Sequence, residues 1–327
     1  MGVNVGIIGL GSLGLRRFEI FQNMSDVHRI SFFDPSIKLF QSTHSEVDVE
    51  SIYSNKNIDA VIICSPNAPK MDLIVKAFKF KKHIFCEKPL IMTKADKFTL
   101  ESLHKSNPNI KVKFGFNHRY LSHYRDMKKT VESKEYGKLL WVRGIYGKGF
   151  DDSFFQGWRA DKSLSGGGIL FDQGIHMLDL VLDLIGDLQV KCALIDDLDN
   201  RPGIEANAFI NLRSENGVPV SIHSSMYQWQ HKFSLEVGTE KAIIGLNGLV
   251  SSTKSYGSEV SEVARNWDKN FAEILTTKHS NPDFYSFKEE CNNFIDSIIN
   301  NNAVTNGTIK DTVRVMDLIE QIYLQRQ

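Results

Sequence analysis

A short apolar run that breaks into spaced glycines constrains this chain more than any other stretch: Val5-Gly6-Ile7-Ile8-Gly9-Leu10-Gly11-Ser12-Leu13-Gly14. Val5, Ile7 and Ile8 read as a strand buried on both faces of a parallel sheet. The glycines that follow have the spacing G-x-G-x-x-G. Gly9 permits a tight turn, Gly11 lets a pyrophosphate approach the backbone with no Cβ in the way, and Gly14 lets the next helix lie close on the strand. The N–H groups at the start of that helix, those of Ser12 and Leu13, are then the donors to phosphate.

The glycines alone also fit a strand-to-helix turn with no ligand, so a second residue is needed. The next expected strand, Ile30 to Phe33, ends in Asp34, 20 residues past Gly14. A carboxylate at that spacing accepts hydrogen bonds from adenosine ribose hydroxyls and repels a 2′-phosphate. Strand, glycines and acid together predict a dinucleotide site that favours NAD over NADP. Lys38 and Arg16 are nearby cations that weaken the preference.

At 327 residues the chain is too long for one ordinary core and predicts two domains. Lys plus Arg and Asp plus Glu both total 39, so the charge balance points to neither nucleic acid nor an anionic membrane. The four cysteines, Cys64, Cys86, Cys192 and Cys291, have no metal-ligand spacing and read as free thiols of a reducing compartment. No apolar run reaches membrane-spanning length and the first strand begins at the N-terminus, so the expected location is cytoplasmic.

Strands alternate with helices as far as residue 118. Helices are expected at Leu15 to Met24, Met71 to Phe80 and Lys94 to Lys105, and strands at Ile58 to Cys64, His83 to Cys86 and Lys111 to Phe116. This predicts a doubly wound α/β domain with a parallel sheet over 1–118. Beyond it come a helix at Ser122 to Ser133, an alternating strand at Leu139 to Tyr146, and an apolar helix at Ile169 to Ile185 stopped by Gly186. Five strands follow between Gln189 and Leu246, with Asn216-Gly217 as a hairpin signal. They predict an α+β domain over 119–327 with a largely antiparallel open sheet. Residues 250–282 have weak periodicity. Two closing helices bury Cys291, Phe294, Ile295, Ile298 and Ile299, then Val315, Leu318, Ile319 and Ile322, the second capped by Thr308.

Three groups of residues stand where chemistry is expected. Ser65-Pro66-Asn67 and Glu87-Lys88-Pro89 follow strands at the carboxyl edge of the first sheet, where such folds bind ligands. Lys88, restricted by the following proline, is held extended; a surface lysine in a strand-to-loop turn fits equally well from position alone. In Asp172-Gln173-Gly174-Ile175-His176, a helix would put Asp172 and His176 on one face about 5–6 Å apart at Cβ. An acid beside a histidine suits a general base near neutral pH. For an isolated pair, a helix N-terminal acid beside a satisfied core histidine is the commoner arrangement.

Taken in order, Gly9-x-Gly11-x-x-Gly14, Ser65-Pro66-Asn67, Glu87-Lys88-Pro89, Gly115-Phe116-Asn117-His118-Arg119, Trp158-Arg159, Gly166-Gly167-Gly168 and Asp172-x-x-x-His176 resemble the glucose-fructose oxidoreductase, inositol dehydrogenase and rhizopine catabolism (Gfo/Idh/MocA) family. The resemblance spans the whole chain. It implies an NAD(P)-binding Rossmann domain, a second domain with an open sheet through which copies pair as dimers or tetramers, and a cleft for a sugar or cyclitol. Lys88 would contact nicotinamide ribose and substrate, with Lys88-Pro89 a candidate for a cis bond. Asp172 and His176 would flank the reacting hydroxyl, Trp158 and Arg159 would approach the nicotinamide, and Asn117 and Arg119 would line the cleft. Ser65, Pro66, Asn67 and Glu87 fall with the cofactor contacts. Many members have a histidine a few residues past the Pro-Asn pair, where this chain has Pro69-Lys70. The Gly-Leu-Gly-Ser-Leu-Gly-x-Arg-Arg opening looks most like members acting on nucleotide sugars in surface glycan synthesis.

The expected reaction is hydride transfer between nicotinamide and a secondary alcohol carbon of a sugar. His176 takes the hydroxyl proton, Asp172 orients it or the substrate, and Lys88 stabilises charge on oxygen; Lys88 as the base is the alternative. Other classes on the same fold are an NAD-using glycoside hydrolase or lyase and a non-catalytic dinucleotide-binding protein.

Overall fold

A computed structural model describes residues 2–35, 48–149, 157–250, 256–268, 271–281 and 284–326. Lys38, named above beside the ribose-binding acid, lies outside them. Contacts divide the chain into two compact units, residues 1–117 with 287–316 and residues 118–286 with 317–327.

The first unit is a five-stranded sheet in the order β2-β1-β3-β4-β5, all parallel. Its strands are β1 (Val3–Ile8), β2 (Val27–Phe33), β3 (Ala60–Ile63), β4 (His83–Cys86) and β5 (Val112–Phe114), and its helices begin with α1 (Ser12–Gln22), α2 (Val49–Ser54), α3 (Lys70–Lys79) and α4 (Lys94–Ser106). The chain leaves β1 for β2 on one side and returns to β3 on the other. The strand order therefore reverses beside the glycine turn, and ligands of such sheets bind at the carboxyl edge at that reversal. β3 and most of β1 are wholly buried, as an unbroken apolar pattern requires of a strand covered on both faces. The short helix α2, in a region too polar to read from sequence, is capped by Asp48, whose carboxylate accepts from Ser51 N–H at 2.8 Å.

The expected second domain ran without interruption from 119 to 327. The contacts differ, because α8 (Tyr285–Ile299) packs into the first core. Cys291, Phe294 and Ile295 sit in one cluster with Val5, Ile7, Phe21, Ile62 and Phe85. Each such side chain buried contributes about 1.5–3 kcal/mol. A charged bond accompanies this packing: Arg17 of α1, wholly buried, donates to Glu87 through Nε at 2.8 Å and to Glu290 through an Nη at 2.6 Å. Burial works against the guanidinium's charge, but Glu87 and Glu290, among its anionic neighbours, outweigh it and hold Arg17 ionised. Burial also raises the carboxyl of Glu290.

The second unit is an eight-stranded sheet ordered β13-β12-β11-β10-β6-β9-β8-β7, antiparallel except where β6 meets β9. The strands are β6 (Leu139–Gly149), β7 (Leu188–Leu198), β8 (Arg201–Ser214), β9 (Pro219–Gln228), β10 (Lys232–Thr239), β11 (Ala242–Asn247), β12 (Val260–Asp268) and β13 (Phe271–Lys278). Gly217 turns the β8–β9 hairpin with φ +82°. The last two strands occupy the stretch with weak periodicity; β13 is exposed along nearly its whole length, so no alternation marked it. The helices are α5 (Ser122–Ser133), the single turn α6 (Lys162–Ser165) and α7 (Ile175–Ile185). Thr308 caps α9 (Ile309–Leu324) by accepting from Asp311 N–H at 3.1 Å, while Asp311 accepts in return.

Replacing Arg17 by Met strands two buried carboxyl groups, and removing one partner of such a network costs about 3–5 kcal/mol. Chemical denaturation of Arg17→Met should show a loss of that size, part of it recovered in Arg17→Met/Glu290→Gln. An unchanged midpoint would show that the guanidinium stabilises nothing.

Candidate active site

The carboxyl edge of the first sheet gathers four loops. At the first, Gly9 adopts φ +92°, and a Cβ there would lie 2.9 Å from the backbone of Cys64 and Ser65. A Cβ on Gly14 would lie 1.9 Å from the carbonyl oxygen of Gly9, so only glycine lets α1 start this close to the turn. Gly11 is different, for a Cβ built there meets nothing within 4 Å. No packing demands glycine at that position; the space is left open in front of the start of α1, whose N-cap has no side-chain bond. Helix N–H groups without a side-chain cap, facing open space, fit a phosphate. Asp34 follows β2 directly and accepts from Leu10 N–H at 2.6 Å, which fixes its carboxylate against the glycine turn.

The Ser65-Pro66-Asn67 turn follows β3. Ser65 Oγ donates to the carbonyl of Pro66 at 3.1 Å, and Asn67 is buried and accepts from Lys70 Nζ at 2.8 Å. After β4, the Lys88-Pro89 bond is cis. Lys88 is partly exposed. Its neighbour Glu87, grouped above with the cofactor contacts, is instead 4% exposed and bound to Arg17. The reason is chain direction: residues in extended backbone point to alternate sides, and Glu87 turns into the core.

In the second unit the Asp172–His176 stretch is not the continuous α-helix expected. Leu170–Gly174 forms a π-helical turn and α7 begins only at Ile175. Asp172 N–H donates to the Gly168 carbonyl at 2.9 Å. Gly168 has no room for a side chain, since a Cβ would lie 2.1 Å from the Glu205 carbonyl. The wider i→i+5 turn alters the i, i+4 alignment. His176, 6% exposed, stacks on His118 with ring centroids 3.8 Å apart and planes 20° from parallel. Asp172 lies 3.6 Å from Arg159 Nε, and Arg159 in turn lies over the Trp158 ring at 4.4 Å. Trp158 and Arg159 thus come to the acid of this group.

Arg119, expected to line the cleft, is bound through two nitrogens to Asp179 of α7 at 2.8 and 2.6 Å, with Asp183 at 3.3 Å. It pins the turn Asn117–Tyr120, and that pinning sets His118 against His176. Asn117 is buried at the start of the same turn. Sequence reasoning missed His118, although it lies between two residues it singled out. It also missed Tyr146, whose hydroxyl lies 3.3 Å from His118 Nε2, and Tyr256, whose hydroxyl accepts from Gln173 Nε2 at 3.0 Å. Tyr146 carries a usable signal, because it shares the inward face of β6 with Val142 and Gly144. Tyr256 lies outside any strand or helix and carries none. Burial, with help from Tyr256 and Asp172, raises the Tyr146 phenol well above its ordinary value. Burial pushes Tyr256 up to about 12, the Asp172 charge adding to it. Both therefore remain hydroxyl donors at neutral pH. Among the described residues no group of three His, Cys, Asp or Glu side chains is placed to hold a metal ion, and no helix is long and apolar enough to cross a membrane.

The chain matches two family profiles: residues 3–116 an oxidoreductase family with an NAD-binding Rossmann fold, and residues 124–245 the GFO/IDH/MocA C-terminal domain. Myo-inositol 2-dehydrogenase of Thermotoga maritima is 26% identical over 66% of this chain and 66% of its own. Levoglucosan dehydrogenase of Pseudarthrobacter phenanthrenivorans is 30% identical over 59% of this chain and 54% of its own. The chain thus covers less than two thirds of the length of either. A 3-ketoreductase from Actinomadura kijaniata, solved with NADP and TDP-benzene, superposes with a TM-score of 0.84 over 100% of this chain and 98% of that one, at 15% identity. A levoglucosan dehydrogenase solved with NADH gives 0.84 over 99% and 97%, at 20% identity. At such identities the superpositions speak for the fold. With its Rossmann half and its C-terminal half each matched by the corresponding family profile, the chain belongs to the Gfo/Idh/MocA oxidoreductase family.

Proposed function

We propose that the chain is an NAD-dependent dehydrogenase or ketoreductase acting on a secondary alcohol or ketone of a sugar, with a nucleotide sugar of surface glycan synthesis as the preferred substrate class. The observation that carries the reading is the buried His118–His176 stack, in a chain whose other half is an NAD-binding Rossmann fold. NAD supplies the hydride acceptor at its nicotinamide. The backbone of Gly11 and the N–H groups of Ser12 and Leu13 hold its pyrophosphate, and Asp34 holds the adenosine ribose and disfavours a 2′-phosphate. Ser65, Pro66 and Asn67 border the same edge.

His176 takes the proton of the substrate hydroxyl during oxidation and returns it during reduction. His118 stacks on the ring of His176, and the Tyr146 hydroxyl, 3.3 Å from His118 Nε2, fixes its orientation. Asp172 favours the protonated form of His176 or orients the substrate, with Arg159 setting its direction. Lys88 stabilises negative charge on the reacting oxygen. Copies of the chain pair through the open face of the eight-stranded sheet, where Leu194, Phe209 and Ile243 are about half exposed.

A panel of myo-inositol, levoglucosan, free aldoses and nucleoside-diphosphate sugars, followed by nicotinamide absorbance, tests the class. Product formed with no net change in absorbance would assign instead the oxidise, eliminate and regenerate cycle of an NAD-using hydrolase. His176→Ala should lower kcat by about 10²–10⁴ with NADH affinity nearly intact; unchanged turnover removes His176 from the role. Gly11→Ala should fold with an unaltered melting temperature yet bind NADH about tenfold or more weakly, a loss of about 1.4 kcal/mol or more. Gly14→Ala should be destabilised outright. Equal NADH affinity in Gly11→Ala and wild type would mean that the open space at Gly11 is not the pyrophosphate site.

A further inference from the structure

Lys70 opens α3 and is 1% exposed. Its ammonium meets three oxygens: Asn67 Oδ1 at 2.8 Å, the Lys88 carbonyl at 3.1 Å and the Pro89 carbonyl at 3.0 Å. An ammonium has three N–H donors, one for each. A neutral amine has two, and would turn its lone pair on the third oxygen. The charged and titratable groups that face it are Cys86, Glu87 and Lys88 at and beyond the end of β4, and Cys64 just beyond the end of β3.

We propose that Lys70 is a positioning residue for Lys88: its charged form clamps the main chain of Lys88 and Pro89 to the Ser65–Asn67 turn and so fixes where the Lys88 side chain starts. The inference rests on the reading of Lys88 as the group that stabilises charge on the substrate oxygen. Lys70 itself has its donors turned to the protein and touches no substrate. Burial lowers its pKa to about 8, with Lys88 adding to the effect and Cys86, Glu87 and Cys64 opposing it. The clamp is therefore complete at neutral pH and loses one of its three bonds as the pH rises through about 8. An arginine at the same position would keep its charge throughout that range.

The test uses the full chain grown with lysine carrying carbon-13 at Cε, with the Lys70 and Lys88 resonances assigned from Lys70→Met and Lys88→Met. In wild type the Lys70 resonance should titrate near pH 8, and the Lys88 resonance should show an inflection at the same midpoint. Lys70→Met should displace the Lys88 resonance at neutral pH, and Lys70→Arg should remove the inflection. With whichever sugar of the panel reduces NAD, Lys70→Met should lower kcat about 10²-fold, the scale of a small misplacement of a reacting group, with little change in sugar KM. Lys70→Arg should restore most of the rate and abolish its fall above about pH 8. A Lys88 resonance identical in wild type and both variants at every pH overturns the clamp, whether or not a substrate is found. Equal losses of melting temperature and NADH affinity with no rescue by arginine also overturn it, making Lys70 a packing residue. Inflection and displacement as expected, but full turnover in Lys88→Met, would leave the clamp standing and overturn the role given to Lys88.

Discussion

One buried guanidinium holds the first unit in register. Arg17 lies on α1, whose N-terminus carries the glycine turn, and it binds Glu87, the residue before Lys88, and Glu290 on α8. It lies over the rings of Phe85 at 4.4 Å and Phe287 at 5.0 Å, so its flat faces are packed while its edges are bonded. As a source of net stability such a network is weak, because desolvating three ionisable groups offsets much of the attraction. Its value is directional. A guanidinium fork accepts carboxylates only in its own plane, so a rotation of α1 that would carry Gly11 away from β1 breaks bonds on two other elements at once.

The second unit repeats the device. Arg119 grips Asp179 through two nitrogens, while Asp183, one α7 turn further on, accepts from Lys128 at 2.9 Å and from the Tyr124 hydroxyl. α5 and the turn before it are thereby tied to α7 along one row of acids at i and i+4. Tyr124, Lys128 and Arg119 together keep Asp183 below the usual carboxylate range despite its burial. What this row fixes is the start of α7, where His176 meets the ring of His118.

Much of this was legible in sequence because it follows from periodicity and from steric rules with a single solution. The strand–glycine–helix opening, the alternating elements to residue 118 and the helices at Ser122–Ser133 and Lys94–Ser106 emerge nearly as read. The rest was hidden for physical reasons. β12 and β13 lack alternation because much of their side-chain surface stays exposed. The return of α8 to the first core depends on contacts between residues some 270 positions apart, as with Arg17 and Glu290, and local pattern carries no such distance. The π turn at Leu170–Gly174 has the composition of an α-helix, so local pattern does not mark it. Lys70 drew notice only as a departure from a family pattern; its three acceptors come from two separate loops.

The pairs that sequence reading confused have a common logic. Glu87 and Lys88 are adjacent and were both assigned to the ligand; His118 and Arg119 are adjacent and only Arg119 was assigned to it. In extended backbone neighbours point to opposite sides, so where Lys88 is partly exposed Glu87 is directed into the protein; in the tight turn at Asn117–Tyr120 both His118 and Arg119 are buried. A buried charged member has no water to solvate it and must find a charged or hydrogen-bonded partner there. That partner then fixes the backbone from which its neighbour projects. Glu87 bound to Arg17 defines where Lys88 begins, and Arg119 bound to Asp179 defines where His118 begins. A motif of functional residues read from such a chain is therefore a mixture, and a countercharge from a distant element marks the anchors better than burial does: His118 at 4% exposed is as buried as Arg119 at 6%. A polar side chain within a motif, almost wholly buried and held by a countercharge from a distant element, belongs to the support.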